Sequence, residues 1–94
     1  MINQTQYTIH TEDISAVNRS LIVKTISKHF AAFNIQTGTG YWNTERENSM
    51  HITIITDRSK AQRHLIERIA DDIREINKQE CVLLTAAKIK GKLI

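Results

Sequence analysis

The chain has 94 residues and a mass of 10.8 kDa, enough for one domain spanning 1–94 and too little for two. Hydrophobic residues at 40% and charged residues at 24% exclude a disordered chain, and a formal charge of +3 suits anionic ligands but is too small to mark a nucleic-acid binder. No apolar run approaches the roughly 20 residues of a membrane span, Met1–Tyr7 lacks the regions of a secretion signal, and the one cysteine closes no internal disulfide, so a cytoplasmic setting is expected.

Thr5–His10 is rich in β-formers, with Tyr7 and Ile9 on one face, and predicts a strand. Thr11, Glu12 and Asp13 offer a helix start, because short oxygen-bearing side chains bond the free amides of a first turn. Ile14, Val17, Leu21, Ile22 and Ile26 then recur at helical spacing to near Phe30, opposite Asn18, Arg19, Lys24 and Lys28. Phe33, Ile35 and Thr37 alternate with polar residues as a strand that Gly38-Thr39-Gly40 interrupts. Tyr41–Ser49 reads as a polar connection carrying the only tryptophan, Trp42. Met50–Thr56 is the clearest strand, with Met50, Ile52 and Ile54 on one face. Asp57 or Ser59 caps the longest helix, and Gln62 stands where a capping box places its partner. Ala61, Leu65, Ile69, Ile73 and Ile76 form its buried stripe, widened by Ile66 and Ala70. Cys81–Ala86 predicts a last strand, and a basic tail of Lys88, Lys90 and Lys92 follows.

This order, β-α-β-β-α-β, predicts a ferredoxin-like plait of the α+β class. Right-handed crossovers put both amphipathic helices on one face of an antiparallel sheet. The other face lacks a helix cover. In so small a chain, that face or a strand edge is where another subunit is expected. The plait hosts many activities, so function has to come from particular residues.

Four histidines (His10, His29, His51, His64) invite a metal, but none pairs with another at helical ligand spacing, so solvated or edge histidines are expected. His51 and Thr53 evoke a His-x-Thr phosphoesterase, which would need a second matching motif that His10-Thr11-Glu12 does not provide. Cys81 opens an apolar strand and is expected to be buried. Nucleic-acid binding on a plait uses aromatics on the central strands, and only Tyr7 is offered there. The Gly38–Ser49 segment is the informative one. Two glycines, two adjacent aromatics, Glu45 and Glu47 suit a ligand with a positive charge and a planar base. A polar hairpin whose tryptophan covers an edge explains the same residues equally well.

Gly40-Tyr41-Trp42, the glutamate Glu47 just before a strand, the helix over 57–77 and the run Gln79-Glu80-Cys81-Val82-Leu83-Leu84 together resemble the phage S-adenosylmethionine lyases, long described as hydrolases, and the related lyases of the AMP conjugate of S-adenosylmethionine linked to phage and CRISPR systems. The similarity runs from about Gly40 to the end. It departs from that family in carrying Trp42 where tyrosine is usual and in a shorter loop before Glu47. The resemblance implies a metal-independent, cofactor-free homotrimer of ferredoxin-like subunits with sites at the subunit interfaces and S-adenosylmethionine or its AMP conjugate as substrate. It further implies that Glu47 holds the substrate ammonium as the catalytic residue. Gly40, Tyr41, Trp42, Gln79 and Glu80 would then bind substrate, yielding methylthioadenosine, or its adenylylated counterpart, and homoserine lactone. The alternative from another class is a non-catalytic module that binds a nucleotide-like ligand or blocks a partner protein.

Overall fold

The computed structural model describes all residues, Met1–Ile94. Four strands and two helices follow one another as β1 (Ile2–Glu12), α1 (Ala16–Ser27), β2 (Asn34–Trp42), β3 (Glu45–Asp57), α2 (Lys60–Ile76) and β4 (Leu83–Gly91). They build one antiparallel sheet in the order β2-β3-β1-β4, the ferredoxin-like plait expected from the hydrophobic periods. No helix is long and apolar enough to cross a membrane.

The core is one apolar layer between sheet and helices. Tyr7 and Ile9 of β1, and Met50, Ile52 and Ile54 of β3, meet Ile22 and Ile26 of α1 and Ile66, Ile69, Ala70 and Ile73 of α2. Pairing of Ile9 with Ile52 and of Tyr7 with Ile54 sets the register that keeps these side chains on one face. The opposite face, carrying Gln6, Thr8, His10, Glu47, Ser49, His51 and Thr85, has no helix over it.

Several boundaries differ from the sequence reading, each for a local reason. The first helix begins at Ala16, because Ser15 caps it by accepting from the Asn18 amide at 3.1 Å, and β1 runs on through Thr11 and Glu12. Only Ile22 and Ile26 of the expected stripe are buried. Successive helical residues turn by about 100°, so Val17 and Leu21 point away from that pair and stay exposed, and Ile14, exposed too, lies ahead of the Ser15 cap and outside the helix. Ser59 caps α2 through the Gln62 amide at 3.2 Å, with the Ser59 amide bonded to Asp57 Oδ1 at 2.8 Å. The capping box stays incomplete: Gln62 Oε1 is buried without a partner. Ala61 is exposed at this end of the helix. Lys88 and Lys90 are not in a tail; they belong to β4, paired with Thr5 and Asn3.

The Gly38–Ser49 segment is a hairpin, the second of its two sequence readings, and the strands extend much further into it than the polar connection expected over Tyr41–Ser49. Neither Gly38 nor Gly40 has a positive φ, so β2 runs straight through both. The chain reverses at Asn43 (φ 48°) and Thr44 (φ 67°) alone. Positive φ at both turn residues matches the twist of the strands, and asparagine followed by glycine is the pair that adopts it most readily. A β-branched threonine there is strained. Thr44→Gly is therefore expected to raise stability by about 0.5–1 kcal/mol, read as a higher urea midpoint at unchanged m-value.

Candidate functional site

Three elements converge at one end of the open sheet face. Strand β1 ends in Glu12, the β2–β3 hairpin brings Trp42 and Glu47, and the link from α2 to β4 brings Gln79, Glu80 and Cys81. These six residues line one shallow hollow of ≈ 340 Å³. Alternation along the hairpin explains the selection: Gly40 pairs with Glu47 and Trp42 with Glu45, so these four share the open face. The missing side chain of Gly40 leaves the surface beside Glu47 bare; a Cβ there would lie 3.8 Å from Glu47 Cγ.

The link is held by backbone and side chain together. Beyond the Asn77 cap, Lys78 takes φ 51°, its amide bonds Glu75 O at 3.1 Å and the Gln79 amide bonds Arg74 O at 3.0 Å. That paired closure is a Schellman turn, and it sends Gln79 back toward the sheet. Gln79 Oε1 accepts from the Thr11 hydroxyl and, at 3.5 Å, from the Glu12 amide. Asn77, 4% exposed, donates to Thr11 Oγ1 at 2.9 Å and Glu12 O at 3.0 Å, and accepts from Asn18 Nδ2 at 3.1 Å. Thr11, Asn18, Asn77 and Gln79 thus form one satisfied polar network that fixes the end of β1 where Glu12 leaves it. Asp13, the next residue, is clamped by Arg19 at 2.6 and 3.2 Å, and its amide bonds Asn48 O of β3 at 2.9 Å.

Glu12 and Glu47 meet as an acid pair. Burial, a carboxyl–carboxyl hydrogen bond to Glu47 and the repulsion between the two acids push Glu12 above the ordinary glutamate range. The folded chain therefore holds this proton more tightly than the unfolded chain does. Its stabilising contribution is complete below the unfolded value near ~4.3 and is lost as pH rises through the folded one. Glu12→Gln should flatten that loss, so the variant gains on wild type in thermal melts as pH climbs from about 4 to 7; parallel curves would mean that the two acids do not meet.

Of the residues expected at the site, Trp42, Glu47, Gln79 and Glu80 come together and Gly40 lies beside them. Tyr41 pairs with Arg46 on the opposite face and lies outside the hollow, exposed. Cys81, expected in the core, is exposed, because β4 starts two residues later. Glu12, in a helix-start pattern by sequence, stands at the end of β1 instead, and the run of β-formers continuing through Thr11 is the signal for that placement.

His10 and His51 are direct partners on the two central strands, with ring centroids 4.8 Å apart in an edge-to-face arrangement; His51 is exposed, as expected of a solvated histidine, and His10 is half-buried. Burial and the neighbouring His51 hold His10 below the usual imidazole range, and its Nε2 lies 3.0 Å from Thr85 Oγ1. No third histidine, cysteine, aspartate or glutamate joins them as a metal-ligand group.

No family model and no curated protein matches the sequence. Solved structures do match over nearly the whole chain. CPII, a nitrogen regulatory PII-like protein from Thiomonas intermedia K12 bound to ADP, AMP and bicarbonate, is 9% identical; the match covers 98% of this chain and 97% of that one with a TM-score of 0.65. CutA1 from Oryza sativa is 13% identical, with coverage of 98% and 84% and a TM-score of 0.63. The GlnK–ATP complex of B. subtilis is 11% identical, with coverage of 95% and 84% and a TM-score of 0.61. Identities this low establish the shared ferredoxin-like fold and nothing finer.

Proposed function

We propose that this chain binds a small molecule with a positive charge and an adenine-like base at the Glu12–Trp42–Glu47 hollow. We take that molecule to be S-adenosylmethionine or its AMP conjugate, which the chain cleaves as a lyase. The observation that carries the proposal is the acid pair beside an exposed tryptophan, 71% accessible, on a rigid hairpin. An ammonium placed between Glu12 and Glu47 cancels their repulsion, and the face of Trp42 suits a sulfonium or an adenine ring. The resemblance of Gly40–Trp42, Glu47 and Gln79–Leu84 to the lyases adds the substrate.

The reaction needs little from the protein. The sulfonium leaves without protonation, so no acid is required. The substrate's own carboxylate forms a C–O bond to the γ-carbon as the C–S bond breaks, giving homoserine lactone and methylthioadenosine, or the adenylylated counterpart. Glu47 holds the ammonium while the acid pair repels the substrate carboxylate and turns it toward the γ-carbon. Orientation and removal of water then lower the barrier, because opposite charges neutralise as the ring closes. Gln79 acts through the network that sets Glu12, and Glu80 contributes at the rim. Dryness has to come from a second copy, since the hollow is open in a single chain. A homotrimer with interfacial sites meets that need, and exposed Leu83 and Ile55 on the open face, together with Val17 and Leu21 on α1, are apolar surface for it.

A non-catalytic reading has its own support. Structures of the same fold hold adenine nucleotides, as CPII with ADP and AMP and GlnK with ATP, so a silent nucleotide-like binder is the second proposal. Incubation with S-adenosylmethionine and, separately, its AMP conjugate, followed by mass spectrometry, separates the two. Methylthioadenosine or its adenylylated form with early lactone is the expected result. Saturable binding without product establishes the silent binder, and neither binding nor product refutes both.

A further inference from the structure

At the far end of the sheet from Glu47, and on its helix side, a second hollow of ≈ 290 Å³ opens between the N-terminus of α2 and the paired strands β1 and β4. Arg58, Lys60, Arg63 and Lys88 line it, and no carboxylate does. Lys60 and Lys88 make no ion pair, and Arg63 lies only within a loose 3.9 Å of Glu67. Arg58 is held in place by the chain itself: Nε donates to Gln4 O and Nη2 to Ile89 O, each at 3.0 Å, so its charge sits fixed at the rim.

The floor of this hollow points to a ligand independently of the cations. Thr5 and Tyr7, two apart on the same face of β1, are 8% and 5% exposed, and both line it. Neither hydroxyl makes a hydrogen bond within the chain. Yet Gln62 Oε1 is the one fully buried side-chain polar atom left without a partner, so these two hydroxyls still reach open space. A side chain more than nine-tenths buried has that space only where the hollow meets it. Two donors waiting in a pocket rimmed by four cations, under the positive end of a 17-residue helix, suit an oxyanion. Ala86 and Ala87 keep the wall low enough to admit a group larger than a single phosphate.

We infer that Thr5, Tyr7, Arg58, Lys60, Arg63 and Lys88 form a binding site for a diphosphate-type anion, separate from the acidic hollow. Four cations exceed what one phosphate neutralises, and the two hydroxyls fix it from below. The site does not depend on the function proposed for Glu47.

The test is titration of the isotopically labelled full-length chain with sodium pyrophosphate at constant ionic strength, followed by amide NMR. Shifts are expected at Thr5, Tyr7, Arg58–Arg63 and Ala86–Lys88. Lys60→Ala/Lys88→Ala should weaken binding by about tenfold or more, while Lys24→Ala/Lys28→Ala, with the same loss of charge elsewhere, should stay within about twofold. Tyr7→Phe keeps the ring in the core, and should weaken binding several-fold at unchanged melting temperature. Equal losses in the two lysine pairs, or no shift at Thr5 and Tyr7, overturns the site in favour of diffuse attraction. ADP moving the same amides would assign the diphosphate to a nucleotide, and movement by pyrophosphate alone to the free anion. Glu47→Gln should leave this titration unchanged, so failure at one end is separable from failure at the other.

Discussion

Glu47→Gln is expected to lose at least about tenfold in lyase rate, equivalent to about 1.4 kcal/mol of transition-state stabilisation. The substitution keeps the shape and most hydrogen bonding of the side chain but removes the charge we propose as the partner of the substrate ammonium. Glu47 is half-buried opposite Gly40, so the change is felt at a fixed point on a strand and not on a drifting loop. Glu45 is the comparison. It pairs with Trp42 beside the hairpin turn, exposed and outside the hollow, and Glu45→Gln should stay within about threefold of wild type. Melting temperatures of both variants should remain near wild type, which separates a lost charge from a lost fold. The reverse pattern, with Glu45 essential and Glu47→Gln fully active, would transfer the substrate contact to the turn and sink the acid-pair reading.

Ile52→Ala is expected to produce the largest loss of stability, about 2–5 kcal/mol, lowering the melting temperature by more than about 10 °C in a chain of this size. Ile52 is fully buried and stands between Ile9 of β1 and Ile35 of β2, so truncation opens a cavity that three strands and both helices border. Ile55 of the same strand points to the uncovered face and is 46% exposed. Ile55→Ala should cost the isolated chain under about 1 kcal/mol. Because side chains alternate along a strand, a slip of one residue would exchange these two outcomes, and the pair of melts measures the register directly.

The plait was legible in the sequence because α2 and β3 carry strong periods: Ile66, Ile69 and Ile73 in one, Met50, Ile52 and Ile54 in the other. Chain pairing then leaves few topologies. Less legible were features decided by turns. Asn43-Thr44 lacks the glycine that announces a tight hairpin, so the strands flanking it read as a loop with two interrupting glycines. Polar residues such as Thr11, Glu12, Lys88 and Lys90 read as termini, although ladder bonds extend β1 and β4 through them. The site was half legible for the same reason. Trp42 and Glu47 lie close in sequence, whereas Glu12 joins them only through the antiparallel crossing of β1 and β3, which no local pattern encodes. Tyr41, adjacent to Trp42, was assigned to the same ligand because adjacency in a loop says nothing of the face; in a strand it puts neighbours on opposite sides.

The pairing of β1 with β4 has a consequence for the order of events during synthesis. β1 is a central strand, and one of its two neighbours runs from Leu83 to Gly91, with Ile2 opposite Gly91. Until that stretch leaves the ribosome, β1 exposes a row of unpaired amides and carbonyls, and the cationic hollow lacks the wall that Ala86, Ala87 and Lys88 supply. The acidic hollow takes no residue from β4, so only the cationic one waits for the last strand. In the same interval the bare edge of an unfinished chain is open to pairing with a neighbour on the same message.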